Sequence, residues 1–372
     1  MTDRLKIGFD AKRIVRNGTG LGSYGRTLVN DLASYPLELR LYAPDQGRDH
    51  LRQQIRLQEN VRFCYPAPSH LPFSKALWRS KGIVSDLKRD GIQLFHGLSG
   101  ELPIGIHQSG VKSVVTIHDL IFLRHPEFYH WIDTKIYAWK FRKTIQEADY
   151  IIAISACTKR DIMEYGGVDE SKISLIYQSC APKFNSAPSL RQAQGSWSGR
   201  YILSVGSIEK RKNILLAVKA LPYLPEELKL VIVGKHTPYT DEVKAYAEKA
   251  GLSHRIKIMH GVSDEELPRL YAEAEAFVYP SRYEGFGIPI IEAISCGLPV
   301  VACKGSCLEE AGGPDSLYVD PDDAEAMAHA IRQVLRGAEG REKRIENSQQ
   351  YIKRFAGNDV AGQVVELYRR LL

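Results

Sequence analysis

No stretch of this 372-residue chain stays apolar for the roughly 18 residues that a membrane-crossing helix needs. The opening MTDRLKIGFD has no apolar core of the kind that directs secretion and reads straight into a strand. Six cysteines are present, but none forms a CxxC pair, and no His/Cys cluster has zinc spacing. There is no nucleic-acid-binding module signature, so nucleic acid is not an expected partner. There is no nucleophile elbow and no arguable Ser-His-Asp order. These absences set aside a helical membrane protein, a disulfide scaffold and a zinc module. The expectation is a globular protein in a reducing, cytoplasmic compartment. Cys303 and Cys307, four positions apart, are expected to be small buried hydrophobes.

At 372 residues the chain exceeds one ordinary core, so two domains are expected. Its 44% hydrophobic and 25% charged residues are those of a soluble globular protein. Charge is unevenly placed. Up to Lys183 there are 26 Lys and Arg against 19 Asp and Glu, and the remainder has 24 against 25. The basic first half points to an anionic partner.

Strand and helix patterns alternate along the first half. LKIGF (5–9), ELRLYA (38–43), NVRFCY (60–65), QLFHG (93–97), KSVVTIHDL (112–120), DYIIAIS (149–155) and KISLIYQ (172–178) read as strands. After the first strand, Gly18, Gly20 and Gly22 are expected to form a flexible loop ahead of a helix beginning near Ser23. His96 and His118 fall at strand carboxyl ends, where α/β proteins bind ligands. A histidine there serves as general base, electrophile or hydrogen-bond donor, or is simply structural. Two segments mix bases with aromatics, 70–89 and 125–144. Such helices lie on membrane surfaces. The second is expected instead to turn its aromatics into the core and its bases to water, and the first stays open.

NSAPSLRQAQGSWSGR (185–200) reads as a linker. Beyond it the pattern restarts with RYILSVGS, LKLVIVG, RIKIMHG, AFVYP and LPVVAC as strands. The basic turn EKRKN (209–213) follows the first of these. Asp320-Pro-Asp322 resembles a metal-binding DxD but is expected to follow a short strand and cap a helix. The most informative stretch is SRYEGFGIPIIEAISCGLPV (281–300), a glycine-containing loop feeding a short helix. Pro289 suits a first helical turn, and Gly297 the position past its end. A helix start with nearby glycines favours an anion. Glu284 and Glu292 then make sense as acceptors for sugar or ribose hydroxyls, or else as one loop and one helix-face carboxylate.

SVGSIEKRKNI and PSRYEGFGIPIIEAISCGLPVV resemble the nucleotide-sugar-dependent, retaining GT4 glycosyltransferases, mannosyltransferase-like members among them. The likeness runs in consistent order from IGFDAKRIVRNGTGLGSYGRTL through VVTIHDLIFLRHPE and ADYIIAIS nearly to the end. It implies an α/β protein of GT-B architecture, two Rossmann-like parallel-sheet domains facing across a cleft. The expected domains are 1–185, binding acceptor, and 200–355, binding the nucleotide sugar. A C-terminal helix in 356–372 is expected to cross back to the first.

By that resemblance Glu284 holds the donor sugar and Glu292 the ribose hydroxyls. Backbone amides of Phe286, Gly287 and Ile288, beside Gly285, face the diphosphate. Lys212, with Arg211, stabilises the leaving diphosphate, because Ser207 stands where many relatives carry a second cation. The Gly20–Gly22 loop approaches donor phosphate and acceptor, and His118 lies near the reacting sugar. The implied reaction moves mannose from GDP-mannose, or another sugar from a UDP conjugate, to a hydroxyl of a glycan or lipid-linked acceptor in polysaccharide biosynthesis. No metal or other cofactor is expected. Peripheral contact with the inner membrane face is compatible with the basic first half. A nucleotide-sugar epimerase and a non-catalytic sugar- or lipid-binding subunit are the alternatives.

Overall fold

The computed structural model describes residues 4–68, 73–184, 199–356 and 359–372. The expected linker therefore lies, as far as residue 198, outside the described residues. Two units are distinguished: Met1–Tyr177 with Asp359–Leu372, and Gln178–Asn358.

In the first unit the strands are β1 (Leu5–Asp10), β2 (Leu37–Tyr42), β3 (Val61–Cys64), β4 (Leu94–Gly97), β5 (Lys112–Ile117), β6 (Tyr150–Ala153) and β7 (Ile173–Leu175). All ladders are parallel, in the order β3-β2-β1-β4-β5-β6-β7. In the second they are β8 (Tyr201–Val205), β9 (Lys229–Val233), β10 (Ile256–Met259), β11 (Ala276–Tyr279), β12 (Val300–Cys303) and β13 (Leu317–Val319). These too are parallel, in the order β10-β9-β8-β11-β12-β13. A parallel sheet is covered on both faces, which is why its strands read as unbroken apolar runs. β4, β11 and β12 are buried throughout. Chain order reverses between β1 and β4 and between β8 and β11. Such switch points open a crevice at the strands' carboxyl ends, where ligands bind.

The helix Val360–Leu371 belongs to the first unit. Its Ala361, Val364, Val365, Leu367 and Tyr368 join the core that holds Ile7, Leu39 and Leu94. Burying each large apolar side chain contributes on the order of 1.5–3 kcal/mol. Tyr368 also fixes His96: its hydroxyl lies 2.6 Å from His96 Nδ1, and Thr116 Oγ1 lies 2.8 Å from Nε2. His96 is fully buried. Burial, then His118, pushes its pKa down to about 3, so the ring is neutral and structural.

Two expectations are corrected here. A short helix, Lys12–Arg16, follows β1, and the next begins at Gly20, not near Ser23, so Gly20 and Gly22 are helical rather than in a loop. The amides of Gly22 and Ser23 both close on the Thr19 carbonyl. Glycine is required at 22 by contact: a Cβ would sit 1.9 Å from the Asn17 carbonyl oxygen. The second correction concerns the helix Trp131–Glu147. It buries Ala138, Phe141 and Thr144. Trp131, Ile132, Ile136, Tyr137 and Trp139 are exposed instead. Small Ala138 and Thr144 lie against the domain, and the large rings are left outside.

Removing the Tyr368 hydroxyl leaves a buried imidazole nitrogen without its partner, a loss of about 1–3 kcal/mol. Chemical denaturation of Tyr368→Phe is expected to show that loss, and an unchanged midpoint would refute the role given to the pair.

Candidate functional site

The second unit gathers a charge cluster at the β8–β11 switch. After β8 the chain makes one tight turn, Lys210–Lys212. Asn213 then adopts a left-handed conformation (φ 53°) and starts the helix Ile214–Ala220. Asparagine tolerates that conformation, and its side chain donates to the Pro321 carbonyl at 2.8 Å. The Arg282 amide donates to the Arg211 carbonyl at 2.9 Å, tying the turn to the segment after β11.

Glu284 sits between the two basic side chains. Lys212 Nζ lies 2.6 Å from Oε1 and Arg211 Nη1 2.9 Å from Oε2. The Ser281 hydroxyl also donates to Glu284. Burial alone would raise this carboxyl. Lys212 and Arg211 outweigh it, and the group is held at about 2. Lys212 further reaches the Tyr279 hydroxyl at 2.7 Å and lies 5.0 Å from the ring centre. Ser207 lines a small crevice with Gly206, Lys212 and Tyr279. Glu284 thus faces two cations, and Arg211 also lies 3.9 Å from Glu209 at the edge of the turn.

Next in the loop, Gly285 and Phe286 lead to Gly287, whose φ of 116° favours glycine. The helix then begins at Ile288, with Pro289 in its first turn. Cys307 Sγ lies 3.0 Å from the Glu284 carbonyl and 2.8 Å from that of Phe286. It is buried, as expected, but also braces the loop. Glu292, one turn along the helix, accepts from the Tyr271 hydroxyl at 3.0 Å. Burial dominates there and raises its carboxyl to about 7. Environment has driven the two carboxylates apart: Glu284 is a fixed anion, and Glu292 takes up its charge only near neutral pH.

The expected residues of the second unit thus fall in one region around the turn and loop. His118, Gly20 and Gly22 lie in the first unit. There His118 follows β5, with Nε2 2.9 Å from the Leu98 carbonyl and the ring edge-on to Tyr24. A carbonyl only accepts, so Nε2 carries the proton and Nδ1 of the neutral ring is an acceptor. Burial lowers its pKa to about 4, with Arg13 adding to the effect against the Leu98 bond. Arg26, buried beneath the glycine turn, donates to the Ile14 and Asn17 carbonyls.

Cys307, Tyr271, Tyr279, Asn213 and Arg26 have no place in the sequence reading of the site. Only Asn213, in the RKN turn, carries a local signal. The Asp320-Pro-Asp322 segment does not present free carboxylates: Asp322 pairs with Arg282 and Asp320 with Lys304, while Asp323 caps the helix Ala324–Arg332. Among the described residues no group of three or more His, Cys, Asp or Glu is arranged to hold a metal.

Two family profiles together span most of the chain. Glycosyltransferase Family 4 matches residues 18–180, and Glycosyl transferases group 1 matches 189–351. The chain belongs to the GT4 glycosyltransferases. It is accordingly a glycosyl-transferring enzyme, and its two Rossmann-like sheets are those of the GT-B fold. The O-antigen chain mannosyltransferase B of Escherichia coli is 29% identical, covering 99% of this chain and 100% of that protein. The O-antigen chain mannosyltransferase RfbU of Salmonella typhimurium is 29% identical over 60% of this chain and 61% of its own. Among solved structures, the sucrose-phosphate synthase of Thermosynechococcus elongatus superimposes with a TM-score of 0.80 at 21% identity, over 99% of each chain. No helix of the described residues is long and apolar enough to cross a membrane.

A carboxyl raised on folding costs stability as it ionises. Stability is therefore lost as pH rises from the unfolded value of about 4.5 through the folded value of about 7. Glu292→Gln in this GT4 enzyme is expected to melt above wild type at pH 8, with the gap narrowing toward pH 5. A pH-independent gap would contradict the raised carboxyl.

Proposed function

We propose that this glycosyltransferase moves mannose from GDP-mannose, with retained configuration, to a hydroxyl of a glycan or lipid-linked acceptor in polysaccharide biosynthesis. The observation that carries the reading is the Arg211–Glu284–Lys212 cluster at the switch point, in a chain whose full-length relative is a mannosyltransferase. Lys212 and Arg211 face the diphosphate and supply fixed charge where the leaving oxygen becomes negative. This is the charge that a metal supplies elsewhere, so the reaction proceeds without one. Glu284 holds hydroxyls of the donor sugar, and Glu292 those of the ribose. The amides of Phe286, Gly287 and Ile288 line the phosphates, with Gly285 and Ser207 leaving room beside them. His118, neutral, accepts a hydrogen bond from a sugar hydroxyl, and Gly20, where a Cβ would meet nothing, allows close approach of backbone to phosphate, while Gly22 packs that turn against Asn17. As the glycosidic bond to the donor phosphate breaks, the acceptor oxygen attacks from the same face. Its proton passes to the departing phosphate oxygen, so no enzyme carboxylate need act as nucleophile.

The exposed face of Trp131–Glu147 supports a peripheral membrane position. Trp131, Ile132, Ile136 and Trp139 stand beside Lys135 and Arg142, the composition of an interfacial helix. Wild type is expected to sediment with vesicles containing phosphatidylglycerol and Trp131→Ala/Trp139→Ala to remain in solution. Equal sedimentation would remove this part of the proposal.

The donor reading is tested by thermal shift with GDP, UDP, ADP and their sugar conjugates, with and without chelator. A rise with GDP-mannose, insensitive to chelator and lost in Glu292→Ala, is expected. Turnover by Glu284→Gln should fall by about two orders of magnitude or more, the scale of losing one electrostatic group. No shift with any nucleotide would favour the sugar- or lipid-binding subunit.

A further inference from the structure

The first unit contains a cavity of ≈ 680 Å³ that none of the donor groups touches. It opens beside the carboxyl end of β1, the switch point of that sheet. One wall is the segment Phe73–Ile83, another is Leu102–Ile104, and the helix bearing Lys140, Lys143 and Thr144 closes it. The lining is largely apolar and includes Leu77, Ile83, Leu102 and Pro103.

Its polar part is lopsided. Six basic side chains line the cavity against two carboxylates, Asp10 and Glu101. Both carboxylates are already engaged. Arg79 pairs with Asp10 and Glu101 together, and Lys140 reaches Glu101 at 3.1 Å. Asp45 at the edge takes up Arg16 and Lys75. Lys12 and Lys143 have no ion pair among the described residues. Burial, then the neighbouring Arg79, lower the Lys12 ammonium, and Glu101 and Asp10, both already paired with Arg79, only partly oppose them. A cavity with apolar walls and an excess of cations, two of them outside any ion pair among the described residues, fits a ligand that is anionic at one end and apolar at the other.

We propose that this cavity binds the phosphorylated end of an amphiphilic acceptor, a phosphate or diphosphate ester of an apolar chain. Lys12 and Lys143 meet the phosphate, and the Leu77 and Leu102 walls meet the first carbons of the chain. The assignment rests on the transferase reading, in which the first unit binds acceptor. It narrows that acceptor to the lipid-linked class. A soluble sugar phosphate would leave the apolar walls unsatisfied, and a neutral glycan would leave the lysines so.

Calorimetric titration of the full chain with farnesyl diphosphate tests it, alongside farnesol, inorganic diphosphate and dihexanoyl phosphatidylglycerol. Farnesyl diphosphate is expected to bind at least tenfold more tightly than any of the other three. Lys12→Gln/Lys143→Gln is expected to weaken it at least tenfold while leaving melting temperature and GDP-mannose binding unchanged. Lys212→Met is expected to bind it as wild type does, which separates the cavity from the nucleotide site. Undiminished binding by the double variant, or its loss in Lys212→Met, would overturn the proposal. Inorganic diphosphate binding as tightly would reduce the cavity to a free-phosphate site, and phosphatidylglycerol binding as tightly would make it a headgroup site. Each of those results overturns the acceptor assignment. Failure of GDP-mannose to bind wild type would count against the donor reading alone, since the farnesyl titration reads the cavity independently.

Discussion

The ion triad of Lys212, Glu284 and Arg211 is the constraint around which the second unit is arranged. A buried carboxylate is tolerable only with close, well-made partners, because desolvating it costs several kcal/mol. Each partner is therefore fixed by something else. Asn213 sets the turn that presents the two bases, Ser281 donates to Glu284, Lys212 reaches the Tyr279 hydroxyl, and Cys307 holds the loop from behind. The result is a pair of cations held in place before any ligand arrives, which is the condition under which fixed charge lowers a barrier.

Both sheets use the same device. A reversal of strand order places loops from non-adjacent parts of the chain at one edge, and there each unit concentrates its unusual side chains. At the first switch point these are a glycine turn packed to contact, the Asp10–Arg79–Glu101 network and a histidine kept neutral by burial. At the second they are two carboxylates whose surroundings drive their proton affinities in opposite directions. The sheet cores, by contrast, are ordinary aliphatic packing with the C-terminal helix completing the first.

Much of this was legible in the sequence because parallel strands leave continuous apolar runs and because Pro289 and Gly297 bracket a helix. The spacing of Glu284 and Glu292 and the RKN turn carried the family resemblance. What stayed hidden depends on long-range contact. Nothing local marks Cys307 as a brace or Tyr271 as the partner of Glu292. The glycines at 20 and 22 read as a loop because glycine weakens helix interiors. The first turn tolerates it, and contact with Asn17 demands it at 22. In Trp131–Glu147 the amphipathic pattern revealed a helix but not its orientation: small Ala138 and Thr144 face inward with Phe141, leaving the tryptophans outside.

The central claim is that the paired cations read the second phosphate of the donor. Affinity for GDP and for GMP should be measured in wild type and in Lys212→Met, where Arg211 still neutralises Glu284. The account predicts that GDP binding weakens at least tenfold, the scale of losing a charge-assisted bond of about 1.5–3 kcal/mol, while GMP binding barely changes. Equal losses for both nucleotides, or none for GDP, would contradict it.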